Sequence, residues 1–122
     1  MNWKFDSQLP VYIQIEDHIK SDIITGKYRV EEQIPSVRQL AVDAGVNPNT
    51  VQRALSELED QGILESKRTS GRFVTSNPEI LQSLKDEEAK KLIDTMIAKA
   101  KTLGIEKEEI VEIIRESEEW SK

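Results

Sequence analysis

Apolar residues recur three to four apart at Tyr12, Ile15, Ile19 and Ile23, which gathers them on one face of a helix. The spacing predicts a first helix that opens at Pro10, a residue preset for the first helical position, and runs to Gly26, which suits a left-handed cap. A second, shorter helix is expected from Ser36, where Ser36 and Gln39 fit a capping box, to Gly45, with Val37, Leu40 and Ala41 turned inward. A third begins at the cap residue Asn47 with Pro48 in its first turn, and Val51, Leu55 and Leu58 form its buried stripe as far as Gly62. Beyond Gly62, the segments Ile63 to Arg68 and Arg72 to Thr75 flank a Gly-containing turn and read as a hairpin.

The turn-forming cluster Ser76-Asn77-Pro78 separates this mixed pattern from a run of helix formers, and it is read as the domain joint. A long helix is expected from about Glu79 to Leu103, closed by Gly104, with Leu81, Leu84, Leu92, Met96, Ala100 and Leu103 along one stripe. A last helix from about Glu106 carries Ile110, Ile113 and Ile114 on one side. Two helices alone have little to cover such stripes, so Leu84, Leu92, Met96 and Leu103 are expected to meet a second copy of the chain.

Composition narrows what this arrangement can do. The chain has 122 residues, 37% of them hydrophobic and 33% charged, which is room for one ordinary domain and an appendage. It has no Cys and a single His, so thiolate metal sites, disulfides and Cys nucleophiles are excluded, and no nucleophile–base pair stands out. No catalytic, metal or cofactor site is expected, and the chain is read as not an enzyme. His18, with Asp17 beside it, is read as a surface or boundary residue. No apolar run approaches a membrane span and the first residues lack a secretory signal, so a cytoplasmic protein is expected.

The net charge of −6 argues against a non-specific nucleic-acid coat, and the position of the basic residues then decides. Helix, short helix, Gly turn, capped helix and basic hairpin is the order of a winged helix-turn-helix domain, whose second turn-motif helix enters the major groove. Asn47, Asn49, Thr50, Gln52 and Arg53 at the start of the third helix have the donors and acceptors to read base edges or hold phosphates. Arg38 on the preceding helix would reach the backbone at the groove edge, and the hairpin adds Lys67, Arg68 and Arg72. Lys67 and Arg68 alternate faces along a strand, so Arg68 and Arg72 are favoured over Lys67. For Asn47 the cap role is the stronger reading, ahead of base contact.

Three runs carry a family resemblance: Ile34-Pro35-Ser36-Val37-Arg38-Gln39-Leu40-Ala41, then Val46-Asn47-Pro48-Asn49-Thr50-Val51-Gln52-Arg53-Ala54-Leu55, then Leu58-Glu59-Asp60-Gln61-Gly62-Ile63-Leu64. Over about residues 9–76 the chain resembles the GntR family of bacterial transcription regulators, and the Asn-Pro-Asn-Thr-Val-Gln-Arg run with its short helical tail resembles the YtrA-type subfamily. The resemblance implies a homodimer on a palindromic double-stranded DNA operator, usually as a repressor, with Ser36, Arg38, Asn49, Thr50, Gln52, Arg53 and the wing around Gly71 at DNA-facing positions. Many members have Arg where Gln52 stands, and the wing's usual Gly-x-Gly is here Thr69-Ser70-Gly71. The forty-odd residues after Asn77 are too few for the larger ligand-binding domains of many members, which leaves the interface between two copies for a small-molecule effector, or no effector.

The expected fold is therefore mainly α with a small β-hairpin: a winged helix-turn-helix DNA-binding domain over residues 1–76 and a two-helix dimerisation segment over 77–122. The competing reading is a winged-helix protein-interaction module whose acidic surface repels DNA. Net charge favours the module; the run from Ser36 to Arg53 and the wing favour the DNA-binding regulator.

Overall fold

The architecture follows from a computed structural model that describes residues 3–67 and 71–122. Five helices and one hairpin appear in the order α1 (Val11–Ile24), α2 (Val37–Ala44), α3 (Pro48–Asp60), β1 (Leu64–Ser66), β2 (Arg72–Val74), α4 (Pro78–Thr102) and α5 (Lys107–Glu116), with a final 3-10 turn at Glu118–Ser121. By compactness they form one unit up to Lys85 and a second over Asp86–Lys122.

In the first unit, α1, α2 and α3 wrap a core of Ile15, Ile19, Leu40, Val51, Ala54, Leu55 and Leu58, closed by Ile34, Ile63, Leu64 and Val74. The caps are local and hold the turn motif together. Ser36 Oγ accepts from the Gln39 amide at 3.1 Å, while the Gln39 side chain reaches forward to Asp43 rather than back to complete a capping box. Asn47 Oδ1 accepts from the Asn49 amide at 2.7 Å, and Pro48 fills the first helical position. Pro10 stands one place earlier than expected, as the N-cap of α1.

The two strands pair antiparallel, Leu64 with Val74, Glu65 with Phe73 and Ser66 with Arg72. The loop before α2 lines the other edge of β2: Gln33 bridges Phe73, the Ile34 amide donates to the Arg72 carbonyl, and the Val74 amide donates to the Glu32 carbonyl. Val74 points into the core, whereas Phe73 is half-buried beneath Lys67, whose Nζ lies 4.7 Å from the ring centre. Gly62 is needed where the chain leaves α3, since it has φ +80° and an added Cβ would come within 2.9 Å of Ile80 Cδ1.

The expected joint at Ser76 marks the end of the hairpin, but the first compact unit continues to Lys85 because the opening turns of α4 pack on its core through Ile80, Leu81 and Leu84. Leu84 thus departs from its expected place in a partner-facing stripe. It is 3% exposed within the first core and is closed to another chain.

The second unit has almost nothing to bury: among its residues Ala100 alone falls in the buried class, while Leu92, Leu103 and Ile113 are 70%, 63% and 63% exposed. Glu106 opens α5, its amide donating to Glu109 Oε1 at 3.1 Å. Among the described residues no helix is long and apolar enough to cross a membrane.

Candidate nucleic-acid interface

One side of α3 is fixed and the other is free. Val51, Ala54, Leu55 and Leu58 are at most 1% exposed, which locks the helix to α1 and α2, while Asn49, Gln52 and Arg53 are exposed and Thr50 is half-buried beside them. Amide and guanidinium groups at the start of a rigid helix are suited to bidentate contacts with base edges. Asn47 is committed to the cap, which takes its side-chain oxygen. Gln52 donates from Nε2 to Ser56 Oγ at 3.1 Å, a bond along the surface of the helix that a base could replace.

Arg38 is exposed at the second position of α2. Ser36, Gly71 and Arg72 come together around one open depression between the start of α2 and the wing, which joins sequence positions far apart into one face. Gly71 has φ +107°, a backbone conformation that favours glycine at this point. Arg68 lies outside the described residues.

Arg72, expected on the DNA face of the wing, also has a partner within the domain. Its Nε donates to Glu59 Oε1 on α3, and its side chain is only 19% exposed. Ser66 Oγ donates to the same oxygen at 2.6 Å. Donation from Ser66 is the largest influence on the Glu59 carboxyl; burial, next in size, opposes it, and the hydrogen bond and charge of Arg72 add to Ser66 to hold the carboxyl below its ordinary range. With Lys67 over Phe73, both described wing cations have partners inside the domain.

Arg53 is also anchored. Its guanidinium carbon lies 3.8 Å from the centre of the Tyr12 ring, and its Nε is 3.7 Å from Glu57 Oε1. Behind Glu57, the buried Glu16 accepts from Gln61 Nε2 at 3.3 Å. Burial, then the hydrogen bond and charge of Glu57, pushes the Glu16 carboxyl above its ordinary range, while Gln61 and Lys20 pull the other way.

The sequence reading placed Tyr12 in the hydrophobic stripe and gave no role to Glu57 or Glu59. The spacing of Arg53 and Glu57, four apart on one helix, was a signal that could have found one of them. His18 is a boundary residue as expected, stacked on Trp3 with ring centres 3.8 Å apart.

Comparison with known proteins agrees with this geometry. Residues 11–74 match the family described as bacterial regulatory proteins, gntR family. The chain is 37% identical to a protein of Bacillus subtilis (strain 168) named the uncharacterized HTH-type transcriptional regulator YhcF, over 94% of this chain and 95% of that one. It is 35% identical to the HTH-type transcriptional repressor YtrA of the same organism, over 90% of this chain and 85% of that one. Among solved structures, a GntR family transcriptional regulator from Listeria monocytogenes superimposes with a TM-score of 0.83 at 37% identity, covering 93% of this chain and all of that one. The DNA-binding domain of AraR in complex with operator ORX1 matches with a TM-score of 0.57 at 30% identity, covering 62% of this chain and 95% of that one.

Proposed function

This chain belongs to the GntR family of bacterial regulatory proteins, and on that premise we propose that it is a cytoplasmic homodimeric repressor reading a short inverted-repeat operator. It is a DNA-binding transcriptional regulator and not an enzyme. The observation that carries the finer reading is the division of α3, with Val51, Ala54, Leu55 and Leu58 immobilised in the core and Asn49, Gln52 and Arg53 left exposed at its first turns. Those three side chains, with Thr50, are assigned to the major groove, and Ser36, Arg38 and the Gly71 wing to the flanking backbone. Asn47 serves as the cap that sets the angle of the helix.

The dimer reading rests on the second unit. Leu92, Met96 and Leu103, 70%, 36% and 63% exposed, leave an apolar surface that a lone pair of helices cannot cover, and a second copy supplies the matching face. A two-fold dimer presents its two α3 helices to successive major grooves, so half-site centres about one helical turn apart are expected.

Anisotropy with the promoter duplex of its own operon and a scrambled duplex of the same composition tests the proposal. Saturation at two chains per promoter duplex, with much weaker binding to the scrambled one, supports it; equal affinity for both overturns it. Loss of binding to both even at low salt would favour the protein-interaction module, which the acidic net charge of −6 otherwise recommends.

A further inference from the structure

An arginine that must find a base or phosphate is most effective when little of its freedom remains to be lost on contact. Arg53 meets that condition in an unusual way. Its side chain is 60% exposed, yet its guanidinium is held on one side by the Tyr12 ring at 3.8 Å and along α3 by Glu57 at 3.7 Å. Tyr12 is itself steady, because it is half-buried and packed against the core cluster on the same helix as the fully buried Ile15 and Ile19. Glu57 in turn lies beside the buried Glu16, which accepts from Gln61 Nε2 at 3.3 Å. The cation thus rests on a platform contributed by α1, a helix that supplies none of the assigned DNA contacts.

We infer that Tyr12 is a positioning residue for DNA recognition: together with Glu57 it holds the Arg53 guanidinium in place at the start of α3 before DNA arrives. This rests on the reading of Arg53 as DNA-facing. Planarity is what the platform requires, since a guanidinium can lie flat across an aromatic ring in a way that an ammonium cannot.

A double-mutant cycle in the full-length protein separates positioning from general packing. The probe is the tightest duplex selected by the wild-type protein from a random-sequence pool, read by anisotropy, with thermal melts reporting folding. Tyr12→Leu is expected to weaken binding about two- to fivefold, in keeping with an exposed cation–π contact, and Tyr12→Phe to bind as the wild type does. In an Arg53→Ala background Tyr12→Leu should have no further effect, because its action passes through the arginine. A loss of the same size in both backgrounds overturns the inference, as does wild-type binding by Tyr12→Leu or a Tyr12→Phe loss equal to that of Tyr12→Leu. Should Tyr12→Leu melt too early to assay, Tyr12→Met takes its place in the same cycle: a loss confined to the Arg53 background supports positioning, and an equal loss in the Arg53→Ala background, or none in either, overturns it. Wild-type affinity in Arg53→Ala alone would show instead that Arg53 does not face DNA.

Discussion

Arg72 in the wing donates from Nε to Oε1 of Glu59 near the end of α3, which pins the hairpin to the helix whose first turns face outward. Ser66 Oγ reinforces the junction from β1. Because these donors hold the Glu59 carboxyl below its ordinary range, their stabilisation is present above the unfolded Glu value and is lost as pH falls through the lower folded value. Glu59→Gln should therefore cost about 1 kcal/mol at neutral pH, the scale of one partly exposed charge-assisted contact. Urea unfolding at pH 7 and in acid checks this. A gap between wild type and variant that stays constant into acid would show that the ionised carboxylate is not what stabilises the wing.

Glu16 should show the opposite sign. Burial and the neighbouring Glu57 raise its carboxyl, so its stabilising state is the protonated one, and that contribution declines as pH rises through the folded value. Glu16→Gln preserves the shape and the Gln61 partnership without the charge. The variant is expected to match the wild type at low pH and to exceed it in melting temperature above neutrality; a variant less stable than wild type throughout would mean that Lys20 and Gln61 outweigh burial.

The features legible in the sequence are those fixed within a few residues. Ser36 and Asn47 cap their helices as their side-chain chemistry dictates, and Gly45 ends α2 in the left-handed conformation. Pairs distant along the chain were invisible: nothing local announces that Tyr12 lies under Arg53 or that Arg72 reaches Glu59. Phe73 and Val74 are adjacent apolar residues in a three-residue strand, too short for alternation to say which faces the core. Leu84 and Leu92 share one helix, and periodicity reports a face without reporting what that face meets.

That last distinction gives a paired prediction. Leu84→Ala removes a side chain from the first core, where it is 3% exposed, and should cost about 2–4 kcal/mol of unfolding free energy while the folded protein keeps its oligomeric state. Leu92→Ala acts on a side chain that is 70% exposed in one chain, and should leave the melting of the first unit nearly unchanged while weakening association. Light scattering across a dilution series and denaturant unfolding read the two effects separately. If Leu92→Ala leaves dissociation unchanged at every concentration, the dimer surface lies elsewhere.

The assigned DNA contacts divide by what salt does to them. Arg38 is exposed on α2 with a side chain suited to phosphate, and phosphate contacts release counterions without regard to sequence. Arg38→Ala should weaken a selected operator and a scrambled duplex alike, and should reduce the slope of log affinity against log salt by about one unit. Gln52 stands at an exposed position early in α3, and its amide, now bonded to Ser56, can pair with an adenine edge through two hydrogen bonds. Gln52→Ala should cost about 1–3 kcal/mol on the operator, with little change on scrambled DNA and an unchanged salt slope. The Ser56 bond lowers the net gain, because one intramolecular contact is exchanged for the first of the two base contacts, which places the expected loss toward the smaller end of that range. Titrations of both variants on both duplexes from low to moderate salt distinguish the roles. Equal losses on operator and scrambled DNA for Gln52→Ala would mean that α3 holds the duplex without reading it, and the base-reading role would then have to move to Asn49, Thr50 or Arg53.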